Sequence, residues 1–217
     1  MNSAPPASSQ LSIIALLYGV KPALLHPLSG GHTAQVYDFP YMGKFGVLRI
    51  LKPGLDIDLA SMQAVQAWLT YLAVCGGPVS PPIPSIHGRT LEQVEVDGQE
   101  YLVEAGEMAS GVLAEELPQE QWSEALFHSL GQAVGLYHRI AMHYQLRRPE
   151  LRRPEWRANL NCFNPSADEL AQASPAVLAK RQQTLARLEH LPRDEESWGL
   201  AHLDLHFGNF YVDAEKN

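Results

Sequence analysis

Cysteine is scarce in this chain of 217 residues: Cys75 and Cys162 lie far apart and form no metal-type spacing. A disulfide framework and a thiolate metal site are therefore excluded, and a reducing, cytoplasmic compartment is the expectation. Positive charge is also in short supply. Sixteen Lys and Arg against 24 Asp and Glu leave a formal net charge of -8. A general nucleic-acid binder needs a basic face, so no nucleic-acid partner is expected. Nor does any apolar run approach the roughly 18 residues that suggest a membrane span. Leu11 to Val20 is apolar, but no basic segment precedes it, so neither a signal peptide nor a membrane partner is expected. The pattern G-x-x-x-x-G-K-[ST] is absent, which disfavours a phosphate loop of that type.

The 46% hydrophobic content is ordinary for a globular protein and suffices for one good core or two small lobes. Met1 to Gln10, rich in Ser, Ala and Pro, reads as a loose tail. Ser12 to Tyr18 predicts a short helix. After the breakers Leu28 to Thr33 come strand-like Ala34 to Phe39 and Phe45 to Leu51, the second ending at Pro53-Gly54. Ala60 to Val74 predicts a helix with Met62, Val65, Trp68, Leu69 and Leu72 on one face. Glu92 to Val96 and Glu100 to Glu104 flank Asp97-Gly98, a strong hairpin signal. The first half is thus a small antiparallel sheet with one helix inserted after its second or third strand. The second half turns helical: Trp122, Leu126, Leu130, Val134, Tyr137 and Ala141 make an amphipathic stripe, and Pro175 to Leu191 a further helix. Between them Leu146 to Glu150 is repeated as Leu151 to Glu155, which with Arg157 gathers five arginines. Interleaved Pro and Glu interrupt any basic face, so a solvated loop is the reading there, with an anionic dock the alternative.

Chemistry is concentrated in Ala201 to Asn209, AHLDLHFGN. His202, Asp204 and Asn209 fall at the spacing H-x-D-x-x-x-x-N, in which an Asp accepts a hydroxyl proton and an Asn five residues on holds a metal ion. Phosphoryl transfer asks for this kind of equipment: an aligned nucleophile and compensation of phosphate charge. Asn209 offers a neutral amide oxygen to Mg2+, a hard cation that prefers oxygen. His202 supports the loop. Trp198 to Leu200 and Phe210 to Val212 are expected to form a strand-like hairpin around it, with Asp213 in a following turn. The competing reading is a loop that merely satisfies backbone groups. Gly30 and Gly31 lack Cβ atoms, so amides there can approach phosphate oxygens, though two glycines also mark an ordinary turn. Arg49 sits mid-strand among apolar Val47, Leu48, Ile50 and Leu51, and needs an anionic partner.

In this order the segments resemble the aminoglycoside phosphotransferase and choline kinase superfamily of protein-kinase-like enzymes. Ser29-Gly30-Gly31 before Ala34 to Tyr37 resembles its phosphate-covering loop, and Val47 to Ile50 with Pro53-Gly54 its cation-bearing strand. Trp68 to Leu72 with Pro78 to Pro82 resembles the lobe helix and its exit, and Glu107 to Gly111 the interlobe hinge. The final loop is similar to H-G-D-L-H-x-G-N, with Leu203 in place of Gly. The resemblance runs from about Leu11 to Val212. It implies an α+β, two-lobe, kinase-like fold: a tail over 1–10, a nucleotide-binding lobe over 11–106 and a partial helical lobe with the catalytic loop over 107–217. It implies an ATP-dependent phosphotransferase that uses Mg2+ and transfers the γ-phosphoryl group to a hydroxyl of a small molecule or of a protein Ser/Thr. Asp204 would be the base and Asn209 the metal ligand, with Gly30, Gly31, Arg49, Glu107 and Met108 on the nucleotide.

The departures lead to further expectations. The family sets its strand cation opposite an acid on the lobe helix, but Ser61 to Val74 contains no Asp or Glu and offers Gln63 and Gln66. Eight residues follow Asn209, and Asp213 is too near to be the second metal-binding Asp of the family. A truncated member with absent or impaired turnover is therefore expected. Uncovered helices in its second lobe would favour self-association. A non-catalytic nucleotide-binding or regulatory module is the alternative function.

Overall fold

The computed structural model of the chain describes residues 8–29, 34–51, 59–144, 153, 155, 167–194 and 197–213. Alternating burial along three strands sets the architecture. β2 (Ala34–Tyr41), β3 (Lys44–Leu51) and β5 (Gln99–Glu107) bury Tyr37, Phe39, Leu48, Ile50, Tyr101, Val103 and Ala105 in one cluster. Successive strand residues point to opposite faces, so Val36, Arg49 and Glu104 share the other face. The first helix, α1 (Ser8–Leu17), caps the apolar face with fully buried Ile14 and Ala15. The Tyr18 hydroxyl donates to the Val103 carbonyl at 3.1 Å. Burial first, then the charges of Glu92 and Glu104, push that hydroxyl's pKa far up, so it stays a donor.

With β1 (His26–Leu28) and β4 (Leu91–Val96), the sheet runs β1-β2-β3-β5-β4, antiparallel throughout. Both hairpins turn on two residues of positive φ: Met42 (46°) with Gly43 (79°), and Asp97 (53°) with Gly98 (73°). That geometry matches the right-handed strand twist, and the second turn is the one predicted. The helix α2 (Leu59–Val74) enters between β3 and β4, as expected.

Three local expectations are corrected. Helix α1 begins at Ser8, inside the segment read as a loose tail. β1 escaped the reading because its three residues are all exposed and show no alternation; it is held at the sheet edge by pairing with β2 and by His26 Nδ1 at 2.8 Å from Asp38 Oδ1. The buried residues of α2 are Ala64, Gln66, Trp68 and Leu72, whereas Met62, Val65 and Leu69 are only half-buried. Ala64, Trp68 and Leu72 stand four residues apart and make one helical line, and the amide of Gln66 is buried beside it.

A second core joins α2 to α3 (Glu124–Met142). Trp68 and Leu72 pack on Ile140 and Ala141, and Trp68 Nε1 donates to the Tyr137 hydroxyl at 2.8 Å. Ser123 caps α3 by accepting from Leu126 N, and Arg139 lies in the last turn, where a cation suits the helix dipole. Of the expected stripe Leu126 and Ala141 are buried, whereas Trp122, Leu130, Val134 and Tyr137 are half-buried; Ile140, outside that stripe, is buried too, and Phe127 is 53% exposed. Two further helices follow, α4 (Ala167–Gln172) and α5 (Pro175–Glu189), the latter with Pro175 in its first turn and Ser174 as cap. The arginine duplication lies outside the described residues except for Arg153, which donates to the Ser61 carbonyl, and Glu155, which pairs with Arg193. No helix among the described residues is long and apolar enough to cross a membrane.

Candidate active site

Two successive tight turns shape the loop from His202 to Asn209. Asp204 N–H donates to the His202 carbonyl across Leu203, and His206 N–H to the Asp204 carbonyl at 3.1 Å. Bonding across a single residue at positive φ is a rare, strained γ-turn, and Leu203 sits there at φ 46°. The position at which this chain departs from the family pattern is therefore the one whose backbone favours glycine. Leu203 is half-exposed, so its side chain recovers little by burial. Leu203→Gly is expected to raise the unfolding free energy by about 0.5 kcal/mol, the ~1–2 kcal/mol relief of a left-handed residue less glycine's entropic cost of ~0.5–1 kcal/mol. A urea titration checks this, and a lowered midpoint would mean that the Leu contacts outweigh the strain.

The turns bring Asp204 and Asn209 together. Asn209 Nδ2 donates to the Asp204 carbonyl at 2.7 Å and to Asp204 Oδ2 at 3.1 Å. With the amide nitrogen committed to this carboxylate, Oδ1 of Asn209 faces the other way. His206 accepts from Gly208 N–H through Nδ1 at 3.1 Å, which places its ring proton on Nε2. That nitrogen stands 3.9 Å from Asp204 Oδ1, beyond hydrogen-bond length. Oδ1 is thus the carboxylate oxygen left open to an incoming hydroxyl, and the Asp204 side chain is 76% exposed. The expected supporting role of His202 has a counterpart in ring contact with Tyr137, the residue that also receives the Trp68 N–H.

The flanks of the loop differ from expectation. Trp198 to Leu200 is not a strand. The strand after the loop, β7 (Tyr211–Val212), pairs instead with β6 (Val112–Leu113), just past the hinge. Asp213 accepts from Ser110 Oγ at 2.6 Å, and Ala114 N–H donates to the Phe210 carbonyl at 2.9 Å. The loop is therefore fastened to the segment that follows β5, where the hinge was expected. Neither Ser110 nor this pairing could be read from the local pattern, because β6 and β7 are two residues long and nearly a hundred positions apart.

On the sheet, Arg49 does have an anionic partner, and it is internal. In register with Arg49 on the neighbouring strand stands Glu104, with Oε1 at 3.4 Å from Arg49 Nη1. The other oxygen of Glu104 accepts from Gln66 Nε2 of α2. The helix without acids thus reaches the cation through an amide and a strand carboxylate. Gln66 is 4% exposed, and its Oε1 has no hydrogen-bond partner among the described residues. Glu104 was missed because its place opposite Arg49 depends on the β3–β5 register.

At the hinge, Glu107 N–H donates to the Pro81 carbonyl and Met108 N–H to the Phe45 carbonyl, each at 2.9 Å, and the Glu107 side chain pairs with Lys44. Both amide hydrogens are thus spent inside the protein. Gly30 and Gly31 lie outside the described residues. Among the described residues no three His, Cys, Asp or Glu side chains gather as a metal site. The Asn209 amide oxygen and the Asp204 carboxylate are hard oxygen donors of the kind a divalent cation such as Mg2+ takes.

Comparison with known proteins bears on the family and the fold. Residues 25–217 match the model of the phosphotransferase enzyme family. The amicoumacin kinase of Bacillus subtilis (strain 168) is 31% identical over 182 residues, which is 82% of this chain and 50% of that protein. A solved amicoumacin kinase, in complex with AMP-PNP, Ca2+ and Ami, superposes with a TM-score of 0.80 at 24% identity, covering 97% of this chain and 61% of that one. A spectinomycin phosphotransferase with ADP and its antibiotic gives a TM-score of 0.61 at 15% identity, over 99% and 67% of the two chains. The present chain spans about half the length of the curated relative it matches. Its fold is the mixed α+β, kinase-like one that the family resemblance implied, and the chain belongs to the phosphotransferase enzyme family.

Proposed function

We propose that this chain carries the nucleotide-binding sheet and catalytic loop of a kinase that transfers the γ-phosphoryl group of ATP to a hydroxyl of a small molecule. One observation carries the reading. Asp204 keeps Oδ1 open while Asn209 Nδ2 occupies Oδ2, so base and metal ligand are fixed relative to each other before any ligand arrives. Asp204 accepts the hydroxyl proton and aligns the nucleophile. Asn209 Oδ1 would hold a divalent cation, Mg2+ in our reading, which would supply charge to offset that of the phosphates. Arg49 reaches the phosphates from the sheet, and Gly30 and Gly31 cover them with main-chain N–H groups. Glu107 and Met108 have spent their N–H groups, so they meet the base through carbonyl oxygens. A small-molecule acceptor is favoured over a protein hydroxyl because the 31%-identical relative is an amicoumacin kinase.

Turnover is read as weak. Among the described residues, the carboxylate hydrogen-bonded to Asn209 is that of Asp204, which would serve both as base and beside the metal. The test is acceptor-dependent ADP release with Mg2+-ATP and a panel of hydroxyl compounds, amicoumacin first, with a phosphate mass gain on the acceptor. ATP binding without ADP release for any acceptor would leave the non-catalytic nucleotide-binding module as the function.

A further inference from the structure

Arg49 is the cation that the proposed function sets on the nucleotide phosphates, and its own restraint is unusual. The side chain is 58% exposed, and in solution such a long chain samples many rotamers. It is tethered at one nitrogen, Nη1, by Glu104 Oε1 at 3.4 Å. Glu104 is itself only 13% exposed. It is held from the other side by Gln66 Nε2, on a helix whose next turn is clamped to α3 through Trp68. A buried amide orients a mostly buried carboxylate, and the carboxylate orients an exposed guanidinium.

Gln66 fits this duty better than it fits stability. Its Oε1 finds no partner among the described residues, and an unmet buried acceptor is destabilising. A hydrophobic residue would fill the site without that penalty but could not donate to Glu104. A glutamate there would set two carboxylates against each other. The residue present is one that can donate to a carboxylate without adding a second charge.

We propose that Glu104 of β5, held by Gln66 of α2, is the positioning residue for Arg49, so that the sheet supplies the carboxylate that orients the phosphate-binding cation. The inference rests on the nucleotide reading above. Two effects of Glu104 oppose each other. Its negative charge repels a bound triphosphate, so removing it would tighten binding if charge alone mattered. Its tether keeps Arg49 aimed, so removing it would weaken binding if orientation dominates. Orientation wins, because the guanidinium end is exposed and water screens long-range charge there, whereas the rotamer freedom released is not screened.

The experiment is titration of the full chain with Mg2+-ATP by calorimetry, alongside thermal melts. Glu104→Gln is expected to weaken ATP binding by about tenfold, and Arg49→Ala by at least as much. Gln66→Leu, which releases Glu104 without leaving an unmet buried acceptor, is expected to weaken ATP binding by about threefold while the melting temperature holds or rises, a split that a merely structural role would not give. Unchanged or tighter binding by Glu104→Gln, with Arg49→Ala impaired, overturns this inference alone. ATP binding left unchanged by a folded Gln66→Leu overturns the hold by Gln66 as well. Undiminished binding by Arg49→Ala overturns the nucleotide assignment, and this inference with it.

Discussion

Asp204→Ala is expected to lower acceptor-dependent phosphoryl transfer by about 10²–10⁴-fold, while ATP binding stays within about threefold. The geometry explains why the two should separate. Asn209 is tied to the loop by two bonds from Nδ2, and the shorter one, 2.7 Å, goes to the main-chain carbonyl of residue 204. Removing the carboxylate deletes the 3.1 Å bond and leaves that one. The metal ligand therefore keeps its place while the proton acceptor is lost. Asp204→Asn offers Asn209 the same acceptor at Oδ1 yet cannot take up the hydroxyl proton, so it should be nearly as slow. Steady-state ADP release and ATP titration on both variants check this. Activity within tenfold of the unaltered protein for Asp204→Asn would mean that Asp204 aligns the hydroxyl without acting as its base.

The legibility of this site follows from contiguity. Asp204 and Asn209 lie five residues apart, and turn geometry alone brings them together, so the motif could be read from spacing. The β4–β5 hairpin was legible for the same reason, since Asp97-Gly98 dictates its own turn. The helix between β3 and β4 showed in its apolar period, but its inward line did not, because Gln66 is buried against its own polarity. What the pattern withheld are the contacts made across long separations. Arg49 and Glu104 meet through a register that no hairpin turn sets, with a helix and a Pro-rich loop between their strands. The sequence shows a helix without an acid and offers Gln63 and Gln66 in its place; the carboxylate beside Arg49 comes instead from β5. Leu203 shows the converse case. The departure from glycine was visible at once, but its backbone consequence, a positive φ held by a non-glycine residue, needed coordinates.

Gly111 is where the hinge and the catalytic loop meet, and Gly111→Ala is expected to lower the melting temperature by roughly 10 °C. Its φ is 96°, a conformation that residues with a Cβ rarely adopt, and a Cβ built there would stand 2.2 Å from the Val212 carbonyl oxygen and 2.6 Å from its carbon. The third contact, at 2.9 Å, is the Asp213 Cα. All three are backbone atoms, so no side chain can swing aside to make room. Relief requires β6 and β7 to part, and that pair carries Val112↔Val212 and Leu113↔Tyr211. The Ser110–Asp213 hydrogen bond at 2.6 Å flanks the same contact and would go with it. Backbone strain of ~1–2 kcal/mol and overpacking of ~1–3 kcal/mol together come to about 3 kcal/mol, which for a chain of this size corresponds to roughly 10 °C. The effect should be directional as well as large. The sheet core around Phe39, Leu48 and Val103 includes none of the residues in the clash, so ATP binding through Arg49 should outlast acceptor-dependent turnover, which needs Asp204 held by the loop's attachment to β6. Melting curves with ATP titration on Gly111→Ala check both parts. A melting temperature within about 2 °C of the unaltered chain would show that β6 and β7 can separate at little cost, and the loop would then lose its rigid attachment to the hinge as an explanation for the placement of Asp204.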